Sequence, residues 1–175
     1  MRYLVVGTSG AGKTTFAREL SIALAVPHVE LDDLHWSADW TPRPRDEFIQ
    51  LVEKAAAGDG WVVDGNYSAA RDSLWPRATH VVWLNFSLWV VFPRVVWRTL
   101  KRTLLRQPLW HGNRESIRQA FFSRDSILLW SVKTFGKNRF KYAALMNTPE
   151  YSQLSWIELR NPDEAAKFLA GCART

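Results

Sequence analysis

The sequence predicts an α/β fold, a parallel sheet covered by helices on both faces, and three observations carry that prediction. Short apolar runs rich in valine alternate with longer segments of helical period along the chain. The first run, Tyr3-Leu4-Val5-Val6, passes directly into Gly7-Thr8-Ser9-Gly10-Ala11-Gly12-Lys13-Thr14, which matches the phosphate-binding pattern G-x-x-x-x-G-K-[ST]. A helix opens at the end of that loop, so strand, loop and helix arrive in the order the pattern needs.

The elements follow in sequence. Strand one covers Arg2 to Val6, and helix one runs from Gly12 to about Ala25, with Pro27 as its stop. His28 to Leu31 reads as a short second strand that ends in Asp32 and Asp33. A turn rich in proline and arginine, Thr41 to Arg45, leads into a helix over Asp46 to Ala57, which Gly58 and Gly60 terminate. Trp61 to Val63 is the third strand, ending in Asp64-Gly65-Asn66-Tyr67, and Thr79 to Asn85 is the fourth. A long helix from Ser87 to about Arg106 takes Ser87 as its cap and accommodates Pro93 within its first two turns. Gln107 to Asn113 is a loop, and a second long helix, with Gly136 as a break point, covers Glu115 to Met146. Leu154 to Leu159 is the last strand, and the final helix starts at Pro162 and runs to about Ala170.

A chain of 175 residues fits one domain, spanning 1–175, and is too short for a motor ATPase of several domains. The net charge of +6 calls for anionic partners, and phosphorylated small molecules and nucleic acid both qualify. A single cysteine, Cys172, excludes an internal disulfide and fits a reducing cytoplasm. The apolar start is too short for a signal peptide. The most apolar window, Val81 to Trp97, is interrupted by Asn85, Pro93 and Arg94, so no membrane span is expected. The ten tryptophans are expected mostly in the core and between helices, with the remainder lining a cleft.

In a parallel sheet of this kind the site lies at the carboxyl ends of the strands. Gly7, Gly10 and Gly12 let the backbone bend so that successive N–H groups face the β- and γ-phosphates of ATP, with Thr8, Ser9, Ala11 and Thr15 completing the cradle. Lys13 reaches the phosphate oxygens, Thr14 offers its hydroxyl to Mg²⁺, and the helix starting here aims its positive end at the anion. Asp64, at the end of strand three, is the second candidate for Mg²⁺, directly or through water, although Asp-Gly-Asn also makes a turn by itself. No apolar run ends in Asp-Glu, which speaks against hydrolysis as the main activity.

Asp32 and Asp33 are placed to orient an acceptor hydroxyl, or else form a solvated strand end. His35, Trp36 and Trp40, together with Gly65, Asn66 and Tyr67, are candidates for the wall of an acceptor pocket. Phosphoryl transfer also needs fixed cations. Arg94, Arg98, Arg102 and Arg106 recur every four residues and face either the nucleotide or solvent. Arg114, Arg118 and Arg124 surround His111-Gly112-Asn113 in a segment, roughly 107–121 and reaching 140 at most, that fits a mobile lid. Arg43 and Arg45 are candidates to anchor an anionic acceptor.

Gly7 to Thr14, the strand-end Asp64-Gly65-Asn66-Tyr67, and Arg94 and Arg98 after strand four together resemble the adenylate kinase group of small P-loop kinases. The resemblance implies a P-loop NTPase three-layer sandwich with a five-stranded parallel sheet of order 2-3-1-4-5 and a helical lid. It also implies that Arg94 lies against adenine, that Arg98 touches phosphate, and that Arg160-Asn161-Pro162 passes the other side of the base. Over nearly its whole length the chain is similar to bacterial topology-modulation (FlaR-type) or adenylate kinase-related proteins, through Leu31-Asp32-Asp33-Leu34-His35-Trp36, Trp61 to Ser68 and Gly112 to Ser116. It departs from adenylate kinases at Asn66-Tyr67, where they carry Pro-Arg, so the arginine that holds a monophosphate acceptor is missing there.

Two functions remain open at this level. The leading one is a Mg-ATP-dependent phosphotransferase acting on a small molecule, nucleoside or nucleotide, with Lys13, Arg98 and Arg114 or Arg118 stabilising the transferred group and Asp32 or Asp33 orienting the acceptor. The other is a regulatory nucleotide-binding or nucleic-acid-associated protein. The chain carries no helix-turn-helix, zinc-finger or RNA-binding signature to favour the latter.

Overall fold

A computed structural model of the protein describes residues 1–105, 107–113 and 127–173. The valine-rich segments at the centre of the sheet form strands buried on both faces, as a parallel sheet between helices requires. The strands are β1 (Arg2–Gly7), β2 (His28–Glu30), β3 (Trp61–Asp64), β4 (His80–Leu84) and β5 (Ser155–Leu159), all parallel, in the order β2-β3-β1-β4-β5. The helices are α1 (Lys13–Ala23), α2 (Leu31–His35), α3 (Arg45–Ala55), α4 (Arg71–Leu74), α5 (Leu88–Leu104), α6 (Ile127–Met146) and α7 (Pro162–Cys172).

Side chains alternate between the two faces of each strand. Leu4, Val6, Trp61, Val63, Val81 and Trp83 pack with Phe48 and Val52 of α3, Leu74 of α4 and Tyr142 of α6 on one side. Tyr3, Val5, Val62, Val82 and Leu84 pack with Phe16 and Leu20 of α1, Val91 and Val95 of α5 and Ala165 of α7 on the other. This is the expected three-layer sandwich, with β1 in the middle of the sheet.

Several expectations need correction. The second strand stops at Glu30, and Asp32 and Asp33 lie in the first turn of α2 instead of at the strand's end. Leu31 is buried against the core, so the chain turns one residue earlier than its hydropathy suggests. Ser87 stands at the cap position of α5 but makes no side-chain cap bond; its carbonyl accepts from Val90 and Val91 at 3.0 Å and 3.1 Å. Pro93 does sit inside α5, in its second turn. Gly136 does not break α6, which is continuous from Ile127 to Met146. The expected start of that helix at Glu115 lies outside the described residues.

The tryptophans divide differently from the expectation. Trp61, Trp75 and Trp83 are buried. Trp36, Trp40 and Trp110 line a cleft, whereas Trp89 and Trp97 are 90% and 71% exposed on the outer face of α5. No helix among the described residues is long and apolar enough to cross a membrane.

Candidate functional site

The carboxyl ends of β1, β2, β3 and β4 meet at one cleft of about 1160 Å³. The phosphate-binding loop forms its floor. Gly10 and Gly12 take φ values of +81° and +89°, a region that residues with a Cβ rarely adopt. At Gly10 a Cβ would also meet Val95 Cγ2 at 2.3 Å and the Val91 carbonyl at 2.9 Å, so α5 packs directly on the loop. Gly12 occupies the cap position of α1 and has no side chain to satisfy the first N–H groups of the helix. Those donors and the positive end of the helix are left to an anion.

Lys13 Nζ donates to the Thr8 carbonyl at 3.2 Å. Burial lowers its pKa below that of an ordinary lysine, and the neighbouring Asp32 and Asp64 oppose that shift. Thr14 donates its hydroxyl to Asp64 at 2.7 Å and lies 3.4 Å from Glu30 Oε1. The sheet register explains this meeting, because Glu30 and Asp64 are paired positions on β2 and β3. Asp64 is 3% exposed and also contacts His28 Nε2 at 3.1 Å. A hydroxyl fixed by a buried carboxylate at the foot of a phosphate cradle fits Mg²⁺ bound through Thr14, with Asp64 holding that hydroxyl or a bound water. Glu30 was not singled out in the sequence. Its place at the last position of β2, paired with Asp64, was the signal.

Arg98 reaches the loop and donates from Nη2 to Ser9 Oγ at 3.2 Å. Arg94, Arg98 and Arg102 all line the cleft, so for these three the row faces inward. Arg94 lies over the ring of Phe86, with its guanidinium carbon 5.7 Å from the centroid. Phe16, Pro162, Ala165 and Leu169 line the same side of the cleft, an apolar recess beside the loop. Arg160 and Asn161 do not line it. Asn161 caps α7 by accepting from Glu164 N at 2.9 Å, and Arg160 pairs its side chain with Glu158 of β5 at 2.9 Å while its backbone N–H donates to Glu164 at 2.7 Å.

On the opposite side, Asp32 lines the cleft and accepts a bond of 2.6 Å from the Tyr67 hydroxyl. Burial first, and then the charge of Asp32, raise the Tyr67 pKa well above that of a free phenol, so Tyr67 remains a donor. Asp33 points away, 51% exposed, and its carbonyl meets His111 Nε2 at 3.0 Å. His35 packs its ring between Trp36, Phe48 and Tyr67 and does not line the cleft. Burial lowers its pKa, in keeping with a packing role. Trp36 and Trp40 do form a wall, joined by Trp110, which sequence reasoning did not single out. Gly65 and Asn66 line the cleft, whereas Arg45 is exposed at the start of α3 and Arg43 is paired with Glu47 at 2.7 Å, both outside it. Gly7 and Thr8 do not line the cleft, whereas Thr15 does. Arg106, Arg114, Arg118 and Arg124 lie outside the described residues.

The described part of the expected lid, 107–113, is fastened to the loop that carries Trp36 and Trp40. Asn113 accepts from Trp40 N at 2.9 Å and donates to the Ser37 carbonyl at 2.8 Å.

Two solved structures have the same architecture. A gluconokinase from Sinorhizobium meliloti 1021 aligns over 99% of this chain and 91% of its own, at 20% identity and a TM-score of 0.53. A shikimate kinase from Aquifex aeolicus vf5 aligns over 98% of this chain and 95% of its own, at 14% identity and a TM-score of 0.55. The fold is that of a P-loop kinase. No protein-family model and no curated protein sequence matches the chain. A likeness at identities this low establishes the fold and leaves both the activity and the substrate to be argued from the site.

Proposed function

We propose that the protein is a Mg-ATP-dependent phosphotransferase acting on a small molecule, nucleoside or nucleotide. One observation carries this reading. Lys13, Thr14, Arg98 and Asp32 line a single cleft, with the uncapped end of α1 between the apolar recess and the aromatic wall. A donor nucleotide lies with its base in the recess beside Phe86, Arg94 and Pro162 and its phosphates in the loop. The acceptor enters between Asp32 and the indoles.

In this reading Lys13 leaves the Thr8 carbonyl for the β- and γ-phosphate oxygens, and Arg98 bridges the loop to the transferred group. Asp32, held by Tyr67, accepts a hydrogen bond from the acceptor hydroxyl and aligns its oxygen with the γ-phosphorus. Mg²⁺ bound at Thr14 supplies charge neutralisation on the phosphates, and Asp64 keeps the Thr14 hydroxyl in place. Arg114 and Arg118 are proposed to close over the phosphates from the lid. A panel of nucleosides, nucleotides, sugars and short oligonucleotides, incubated with γ-labelled ATP and Mg²⁺, tests the reading by showing where the label goes. Label found only in inorganic phosphate for every acceptor would contradict it.

A further inference from the structure

Trp36, Trp40 and Trp110 stand edge to face, with ring centroids 5.7 Å and 6.2 Å apart, along the side of the cleft that holds Glu30 and Asp32. Burial raises the Glu30 pKa and Trp110 beside the carboxylate opposes that rise, while Trp36 stands beside the Tyr67 hydroxyl that donates to Asp32. What the indoles offer a ligand is apolar face, suited to the C–H face of a sugar, to a base, or to an amine. What the two carboxylates offer is acceptance of hydroxyl and ammonium protons. On this side the described residues facing the ligand bring negative charge, while Lys13, Arg94, Arg98 and Arg102 belong to the loop and α5.

We propose that this end of the cleft selects a ring-bearing alcohol without negative charge, an uncharged or amine-bearing sugar or nucleoside, and that Glu30 and Asp32 exclude anionic acceptors. The inference rests on the phosphotransferase reading and narrows it. Asp32 grips the hydroxyl, the indoles stack the ring, and an acid group on that ring would meet two carboxylates across a cleft partly shielded from water, where like charges repel far more strongly than in bulk solvent.

The test uses the full-length protein saturated with Mg²⁺ and a non-hydrolysable ATP analogue, with analogue binding measured first. Glucose, glucosamine and glucuronate, and separately adenosine and AMP, are then titrated by calorimetry or ligand-observed NMR. In at least one of the two sets the uncharged or amine member binds at least tenfold more tightly than its anionic partner, and the set that binds identifies sugar or nucleoside. Glu30→Gln and Asp32→Asn each narrow that ratio severalfold, a change of specificity that simple loss of fold would not produce. An anionic member bound as well as its partner overturns the inference, and so does binding of no member or a ratio unmoved in both variants. Failure of the ATP analogue itself to bind would instead defeat the phosphotransferase reading, and this inference with it.

Discussion

The hydroxyl of Tyr142 donates a 2.8 Å hydrogen bond to Oδ1 of Asn66, and through it α6 is fastened to the phosphate-binding loop. Asn66 Nδ2 donates to the Gly7 carbonyl at 2.7 Å, and its Oδ1 lies 3.4 Å from Gly7 N. The side-chain amide thus grips both polar groups of the residue where β1 becomes the loop. Tyr142 is 1% exposed, and burial raises its pKa, so it stays a donor and sets which way the Asn66 amide points. Asn66 is thus a bolt for the loop, held in place from α6.

Tyr142→Phe keeps the ring packed near Trp83 but removes the donor. We expect a loss of stability of about 1 kcal/mol, faster amide exchange across residues 7–12, and a severalfold rise in KM for ATP. Thermal unfolding, hydrogen exchange and steady-state kinetics measure the three effects. Unchanged exchange in the loop would mean that Asn66 holds its orientation without Tyr142.

Gly10→Ala combines a positive φ with a collision against Val95 and the Val91 carbonyl. Strain and overpacking together should cost about 2–4 kcal/mol and separate α5 from the loop. Denaturant unfolding with and without ATP should show lower stability and little gain on adding nucleotide. A variant as stable and as responsive as the parent would show that the contact between loop and α5 yields freely.

Lys13 gives a pH signature. Its pKa is lowered by burial in the free protein, and phosphate binding favours the charged form. ATP affinity is therefore flat at pH values below the depressed pKa and falls as pH rises through it, before the range of an ordinary lysine, with proton uptake on binding in that window. Calorimetry in buffers of different ionisation enthalpy measures the uptake. Affinity that stays constant up to the ordinary lysine range would contradict the depressed pKa.

Much of this site is legible in the sequence because its chemistry is local. Gly7 to Thr14 announce the cradle by their own spacing, and Asp64 announces its place by ending a buried strand. What the sequence hides is set across the sheet or between distant segments. Glu30 gains its place from register with Asp64, Asn66 from Gly7 and Tyr142, and Trp110 from Glu30. The row Arg94, Arg98, Arg102 leaves its facing ambiguous until Val91 and Val95 fix which side of α5 is buried. His35 and Asp33 look like site residues by neighbourhood with Asp32, but the helical turn of α2 sends them elsewhere.

Asn113→Ala removes both bonds that fasten residues 107–113 to Ser37 and Trp40. Amide exchange should then quicken in both segments together, and acceptor KM should rise more than ATP KM. Nucleotide binding to the parent protein should slow exchange across 107–121, the expected lid. Loosening confined to one of the two segments in the variant would show that they are not held as a unit.

The central claim is that the loop serves transfer of a phosphoryl group to a small acceptor, and Lys13→Ala tests it most directly. The side chain lines the cleft and belongs to neither hydrophobic core cluster, so the variant should fold, bind ATP more weakly and lose transfer of the γ-label by a barrier increase of about 3 kcal/mol or more. In parallel, duplex DNA should bind weakly near physiological salt and be displaced by Mg-ATP, since both seek the same arginines. Full turnover by Lys13→Ala, or tight DNA binding that persists in saturating Mg-ATP, would contradict the account.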